Sequence, residues 1–265
     1  MRVLAVQPDI AWEAKTATFE RVDGLLAAAD VQPGGLIVLP EMFATGFSMN
    51  VPAVAEGPGG PTAAWLGALA RRTGCTVLGG LVGDAGGGRG RNQAAWFTPQ
   101  GREGGRYTKV HPFTPAGEPD HYVAGDRPAT FALGGFTVAP LICYDLRFPE
   151  IFRAAVDAGA DLFVVIASWP AGRAAHWRAL LIARAIENQA YVVGVNRCGR
   201  DPCCAYAGGS LIVDPQGAVL AEGTDRPETL AATLDPAAVA EYRRAFPALA
   251  DRQKALAAPG CARIH

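Results

Sequence analysis

The sequence lacks any long hydrophobic run. No stretch of the 265 residues approaches the ~20 consecutive apolar residues of a transmembrane helix, which excludes a membrane-spanning protein. The apolar run at the N-terminus is interrupted by Pro8 and Asp9 and is too short for a signal peptide. We therefore expect a soluble cytoplasmic protein with no membrane partner.

An excess of charge is also absent. The formal net charge is −1, and 18% of the residues are charged. A protein that binds nucleic acid or an anionic membrane surface usually carries a clear excess of basic residues. The composition therefore favours a small-molecule partner and no nucleic acid.

The sequence contains no Pro/Ser-rich linker, no shift in composition and no internal repeat. Half of the residues are hydrophobic, which is enough for one large buried core. We therefore predict a single domain over residues 1–265, with a core at about residues 2–235 and a C-terminal tail at about residues 236–265.

Strand-like and helix-like segments alternate along nearly the whole chain. The predicted strands are RVLAVQ, GLIVLPE, CTVLGGLVGD, FTVAPLICYD, DLFVVIASW and YVVGVNR, and the predicted helices cover 14–29, 61–72, FPEIFRAAVDAGA and HWRALLIARAIENQA. Most of these strands are apolar throughout and must be covered on both faces. This alternation predicts an α/β fold.

The six cysteines are expected to be reduced thiols in a cytoplasmic protein. Three of them, Cys198, Cys203 and Cys204, fall in one loop. Their spacing matches no common zinc signature, and adjacent cysteines do not readily ligate one ion. We therefore predict loop thiols without a role and no metal site.

Three residues with catalytic potential stand where strands end and loops begin, the usual place for ligands in α/β proteins. Glu41 ends GLIVLPE, Cys143 follows FTVAPLI, and Lys109 begins a long irregular segment. A cysteine nucleophile needs a base to activate it, donors for the oxyanion and an acid for the leaving amine. Glutamate, lysine and cysteine together supply these groups without a metal or cofactor.

Each of these residues also has a purely structural interpretation. A cysteine after an apolar run is often a small core residue, Glu41 is compatible with a surface carboxylate, and a lone lysine such as Lys109 is usually a solvated charge. The spacing alone does not bring the three together.

Three segments resemble the catalytic motifs of the nitrilase (carbon–nitrogen hydrolase) superfamily in the same order: LPEMFATGF around Glu41, YTKVHPF around Lys109 and LICYDLRFPE around Cys143. The similarity extends over about residues 2–235. It implies a four-layer αββα sandwich, which in this family commonly pairs into a homodimer or a higher homo-oligomer.

The resemblance also implies roles for these residues. Glu41 would be the general base, Cys143 would form a thioester with release of ammonia, and Lys109 with the Tyr144 N–H would stabilise the oxyanion. Glu118 matches the second glutamate of the family, which positions the substrate or acts on the attacking water. Asp145 is expected to hold the turn after Cys143 by hydrogen bonds.

Within the superfamily, EMFATGFSM and SWPAGRAAHW are most similar to the omega-amidases. These enzymes hydrolyse the terminal amide of 2-oxoglutaramate or 2-oxosuccinamate. Such substrates carry a carboxylate, for which Arg173 is the candidate partner because a guanidinium binds a carboxylate through two hydrogen bonds. Phe43, Phe148 and Trp169 are candidate walls of the pocket.

Three alternatives remain open. The chain is compatible with another superfamily activity, such as an N-carbamoyl amino acid hydrolase, a general amidase or a nitrilase. His111 or His176 is a possible base in a Cys–His scheme. The third alternative, from a different class, is a catalytically silent scaffold with the nitrilase fold.

Overall fold

The computed structural model describes residues 1–253, and the end of the predicted C-terminal tail, with His265, lies outside the described residues. The helices are α1 (Lys15–Ala27), α2 (Val51–Val54), α3 (Pro61–Thr73), α4 (Glu118–His121), α5 (Pro149–Asp157), α6 (Ala174–Asn188) and α7 (Pro236–Ala245).

The strands of the first half of the chain are β1 (Arg2–Gln7), β2 (Leu36–Val38), β3 (Thr76–Gly86), β4 (Arg89–Phe97), β5 (Glu103–Thr108), β6 (Phe131–Leu133) and β7 (Phe136–Ile142). Those of the second half are β8 (Leu162–Ala167), β9 (Tyr191–Asn196), β10 (Cys198–Arg200), β11 (Ala205–Ala207), β12 (Leu211–Val213), β13 (Val219–Glu222) and β14 (Glu228–Thr233).

The strands form two six-stranded mixed sheets of similar design. The first has the order β14-β1-β2-β3-β4-β5 and the second β13-β12-β9-β8-β7-β6, while β10 and β11 form a separate hairpin. In each large sheet the three central strands are parallel, and antiparallel strands flank them.

Alternating residues of the central strands face two different cores. In β1, Val3 and Ala5 belong to the core between the two sheets, whereas Leu4 and Val6 pack with α1 and α3 on the outer face. Helices α5 and α6 cover the outer face of the second sheet, where they bury side chains such as Phe152 and Leu181. The layers are therefore helix, sheet, sheet and helix, which confirms the predicted αββα sandwich.

Several details differ from the sequence-based expectation. The segment predicted as a loop around Cys203 is a hairpin, β10–β11, and β5, β6 and β14 were not predicted as strands. These strands are short, half-exposed or rich in glycine, so their hydrophobic alternation is weak. Within residues 1–253, no helix is long and apolar enough to cross a membrane.

Candidate active site

Glu41 lies in a tight turn just after β2. The parallel strand β3 runs beside this turn, and a Cβ atom at Gly80 would overlap the backbone of Glu41 and Met42. Glycine at this position therefore lets β3 pass close behind the carboxylate. The Glu41 side chain is fully buried, so its position is set by the strand and the turn.

A buried hydrogen-bond network joins three segments of the chain around Lys109. The Lys109 Nζ donates to Glu41 Oε1 at 2.9 Å and to Glu118 Oε2 at 2.8 Å. The Asn92 side-chain amide donates to the same two carboxylates, at 2.7 Å to Glu41 and 2.9 Å to Glu118. The other oxygen of Glu41 accepts from the Ser168 N–H at 2.8 Å, which ties the first sheet to the second.

The charge on Lys109 is stabilised within this network. Burial alone would lower the pKa of the ammonium, but the carboxylates of Glu41 and Glu118 outweigh burial and hold the pKa above its ordinary value. An ammonium has three N–H donors, and two of them bind these carboxylates. The ring of Phe47 lies 5.2 Å from the ammonium nitrogen.

Cys143 follows β7 and begins a 3₁₀ turn, Cys143–Arg147. Its φ angle of 47° lies in the left-handed region, which non-glycine residues adopt mainly at functional or strained sites. Burial, and then the nearby carboxylate of Glu41, raise the pKa of the thiol well above its ordinary value. This shift favours the neutral thiol, and a neutral thiol needs a base before it attacks a carbonyl.

Asp145 links the cysteine turn to the segment that carries Lys109. One oxygen accepts from the Ile142 N–H at 3.0 Å and the Tyr107 hydroxyl at 2.7 Å. The other oxygen accepts from the His111 N–H at 3.0 Å. The prediction that Asp145 holds the turn is confirmed, and the same carboxylate also fixes the chain on both sides of Lys109.

A cavity of about 160 Å³ opens above Cys143. Its lining combines aromatic rings, two arginines and the tip of the β10–β11 hairpin: Phe47, Met49, Phe113, Ala116, Cys143, Tyr144, Arg147, Ser168, Trp169, Pro170, Arg173, Asp201, Cys203, Cys204 and Tyr206. The Cys143 thiol and two guanidinium groups thus share one small, largely apolar space.

Aromatic rings hold the two arginines of the cavity. Arg147 lies over the ring of Trp169 at 4.9 Å, and Arg173 lies over Phe113 at 5.4 Å. The Trp169 indole N–H donates to the Arg173 carbonyl at 2.8 Å. A guanidinium that stacks on a ring keeps its in-plane N–H groups directed at its edge, where a carboxylate binds.

The cavity contains some of the predicted pocket residues and excludes others. Trp169 and Arg173 line it, but the prediction that Phe43 walls the pocket is wrong, because Phe43 is fully buried in the outer core against Phe19 and Trp65. Phe148 also stays outside the lining and stacks on His111 at 3.9 Å.

Neither histidine of the Cys–His alternative lines the cavity. The His111 ring lies 2.8 Å from Asp145, and His176 is exposed beside Arg147 at 3.2 Å. The buried neighbours of Cys143 that carry charge are instead Glu41, Lys109 and Glu118.

Sequence reasoning missed three residues. Asn92 and Ser168 bind Glu41, and Arg147 is a second cation in the cavity. Arg147 lies within the motif LICYDLRFPE, so its position close to Cys143 was a usable signal. For Asn92, in the middle of β4, no local pattern marks its role.

Cys203 and Cys204, predicted as loop thiols without a role, line the cavity. In the part of the chain that the structure describes, no group of three or more His, Cys, Asp or Glu residues is arranged to hold a metal ion.

The carbon-nitrogen hydrolase family profile matches residues 2–244. The chain belongs to this family. It is 38% identical over 258 residues to omega-amidase YafV of Yersinia enterocolitica, with 97% of this chain and 98% of that protein covered. It is also 36% identical over 222 residues to the 2-oxoglutaramate amidase of Bacillus subtilis, with 83% and 86% covered.

Solved structures of the family superpose closely on this chain. XC1258 from Xanthomonas campestris, which carries an arsenic adduct in its active site, matches with a TM-score of 0.89 and 34% identity over 96% of this chain and 97% of that one. A mutant of the amidase from Nesterenkonia sp. AN1 has acrylamide added at its active-site cysteine and matches with a TM-score of 0.80 and 27% identity over 93% and 99%. The protein is a cysteine-dependent amidohydrolase.

Proposed function

We propose that this carbon–nitrogen hydrolase is an omega-amidase. It hydrolyses the terminal amide of a 2-oxo dicarboxylic acid monoamide, 2-oxoglutaramate or 2-oxosuccinamate, to the 2-oxo acid and ammonia. The observation that carries this proposal is the cavity that joins the Cys143 thiol to the guanidinium groups of Arg147 and Arg173. The similarity to an omega-amidase and a 2-oxoglutaramate amidase supports it.

In the acylation step, Glu41 is the general base. Its carboxylate takes the proton of the Cys143 thiol, and the sulfur attacks the amide carbon. The negative charge that develops on the carbonyl oxygen is stabilised by the third N–H of Lys109 and by the Tyr144 backbone N–H at the start of the 3₁₀ turn. Protonated Glu41 then gives its proton to the amide nitrogen, the C–N bond breaks, and ammonia leaves behind a thioester on Cys143.

In the deacylation step, a water molecule replaces the ammonia. Glu41 takes a proton from this water as the oxygen attacks the thioester carbon, and the same donors stabilise the second oxyanion. The C–S bond breaks, the thiolate regains the proton from Glu41, and the 2-oxo acid is released. Glu118 keeps the Lys109 ammonium in place through both steps by its hydrogen bond of 2.8 Å.

The arginines select the substrate class. With the amide carbon at Cys143, the other end of a four- or five-carbon 2-oxo monoamide extends along the cavity as a carboxylate. Arg173, predicted from the sequence, and Arg147 are the cations that meet it. Both are partly buried, where a charge-assisted hydrogen bond is stronger than in water. A simple aliphatic amide has no group for these cations.

The test is ammonia release from 2-oxoglutaramate, 2-oxosuccinamate, glutamine, a simple aliphatic amide and a nitrile. We expect rapid turnover of the two 2-oxo monoamides only, and its complete loss in Cys143→Ala. Preferential turnover of the aliphatic amide or the nitrile would refute the substrate assignment. Activity that survives in Cys143→Ala would refute the nucleophile.

We also propose that the chain is a single domain over residues 1–265 and acts as a homodimer or higher homo-oligomer. One hydrophobic cluster that runs from the space between the two sheets to α5 and α6 supports the single domain. The homo-oligomer is what the resemblance to the superfamily implies, and membership of the carbon-nitrogen hydrolase family supports it. Light scattering of the wild-type protein tests the assembly, and a monomer would contradict it.

A further inference from the structure

The β10–β11 hairpin has no part in the acyl-transfer chemistry, yet it forms one side of the cavity. Asp201, Cys203, Cys204 and Tyr206 belong to it, and all four line the space above Cys143. The shape of this hairpin therefore determines how far the cavity extends away from the nucleophile.

Asp201 fixes the turn of the hairpin. Its Oδ1 accepts from the Cys203 N–H at 2.9 Å and from the Cys204 N–H at 2.8 Å. Its Oδ2 accepts from the Tyr206 hydroxyl at 2.6 Å. The Asp201 side chain itself is 1% exposed, and its three accepted hydrogen bonds hold the tip of the hairpin in one conformation.

A buried arginine anchors the hairpin to the body of the protein. The guanidinium of Arg197 is fully buried, lies 3.7 Å from Asp201 and faces the ring of Tyr206 at 4.3 Å. It also donates to the carbonyls of Ile10 and Arg200, each at 3.2 Å. The orientation of the hairpin thus depends on a buried charge pair, which is costly to form and is sensitive to the loss of either partner.

The tip of the hairpin lies beside the cation predicted to bind the substrate carboxylate. Strand β11 packs against the turn Ala171–Arg173. The charge of Arg173 reaches the Cys204 thiol and partly offsets the effect of burial on its pKa. The space between the hairpin and Arg173 is therefore the end of the cavity that receives the part of the substrate farthest from the amide.

We infer that Asp201 is a positioning residue for substrate selectivity: it holds the Cys203–Cys204 edge against the Arg173 end of the cavity and so sets the length of acyl chain that fits. This inference rests on the proposed function, because that function places a carboxylate at Arg173. Asp201 acts through the backbone of its turn and not on the reacting atoms.

Two variants change the cavity in opposite ways. Asp201→Ala removes the three accepted hydrogen bonds and loosens the hairpin. Cys204→Phe places a larger side chain at the tip of the hairpin and makes the cavity smaller. Asp225→Ala is the matched control, because Asp225 is 78% exposed and pairs only loosely with Arg226 at 3.9 Å. Each variant is assayed with the four- and five-carbon 2-oxo monoamides and with linear amides of increasing length.

For Asp201→Ala we expect KM to rise at least ~10-fold for the preferred 2-oxo monoamide, with kcat within ~3-fold, as expected when only binding is lost. For Cys204→Phe we expect the ratio of kcat/KM for the four-carbon over the five-carbon substrate to rise at least ~10-fold, because a filled pocket discriminates by size. The rate at which iodoacetamide alkylates Cys143, read by peptide mass, should stay within ~2-fold in both variants.

An unchanged length preference in Asp201→Ala, or an equal fall in kcat and in Cys143 alkylation, would overturn the role of Asp201. Failure of the proposed function gives a different result, because the wild-type enzyme would then hydrolyse other linear amides and not the 2-oxo monoamides. In that case the role of Asp201 is tested with those amides instead, by comparing kcat/KM across the series of increasing chain length in the wild type and in the variants.

Discussion

The two ends of the candidate active site hold their charges in different ways. At the inner end, Glu41, Lys109 and Glu118 are at most 1% exposed, and hydrogen bonds of 2.8–2.9 Å join them through the lysine. At the outer end, Arg147 and Arg173 are only partly buried and rest on aromatic rings. The inner charges are bound to one another, whereas the outer charges are held by stacking.

This difference matches the two tasks of an amidase. Groups that transfer protons and stabilise an oxyanion act best when they are fixed in a dry site before the substrate arrives. Groups that recognise a substrate need donors that are still free to meet it. A substitution at the inner end is therefore expected to lower kcat and the stability of the fold. A substitution at the outer end is expected to raise KM.

The largest expected effect is at the inner end. Glu41→Gln keeps the shape of the side chain but removes the base, so we expect kcat to fall by ~10³- to 10⁴-fold, near the upper range for loss of general acid–base catalysis. Steady-state ammonia release measures this. Exposed Glu20 offers a matched control, and Glu20→Gln should leave kcat unchanged. A fall of less than ~10-fold in Glu41→Gln would mean that another group is the base.

Stability provides the second contrast. Lys109→Met leaves the carboxylates of Glu41 and Glu118 buried without a cation, so we expect the free energy of unfolding to fall by ~3–5 kcal/mol. Arg173→Met removes a partly solvated cation and its ring contact, and we expect a loss of about 1 kcal/mol or less. Urea denaturation of the two variants checks the comparison, and equal losses would contradict it.

Substrate binding provides the third contrast. We expect Arg147→Ala and Arg173→Ala each to raise KM for 2-oxoglutaramate by ~10- to 100-fold with little change in kcat, because each removes a charge-assisted bond to the carboxylate. Arg178→Ala is the control, since Arg178 is half-exposed and pairs with Glu222 away from the cavity. A lower kcat at unchanged KM would place these arginines in the chemical steps instead.

The inner end could be predicted from the sequence, and the outer end only in part. Glu41, Lys109 and Cys143 each follow a strand inside a family motif, and the central parallel strands bring the ends of β2 and β7 to one side of the sandwich. Trp169 and Arg173 also follow a strand, β8, and both line the cavity. Phe43 was wrongly predicted to wall the pocket. The direction in which its ring points from the turn depends on packing in the outer core, which the sequence does not show.

The remaining residues depend on contacts between distant segments. Asn92 reaches Glu41 across 51 positions in the sequence, and Ser168 reaches it across 127. The role of Asp201 depends on the hairpin, whose strands have three residues each. Such short strands with charged and small residues have no recognisable period, so the segment was predicted as a loop.

The smallest expected effect concerns the resting thiol at the inner end. Because burial and Glu41 raise the pKa of Cys143, the thiolate fraction at pH 7 is lower than that of a free thiol with a pKa of ~8.5. We expect methyl methanethiosulfonate, an uncharged reagent, to modify Cys143 at pH 7 at least ~10-fold more slowly than N-acetylcysteine. The sign of the shift also requires the rate for Cys143 to keep rising at pH values where the rate for N-acetylcysteine has levelled off. A rate that levels off below pH 8 would instead show a thiolate paired with Lys109, and Glu41 would then have no proton to remove in the first step.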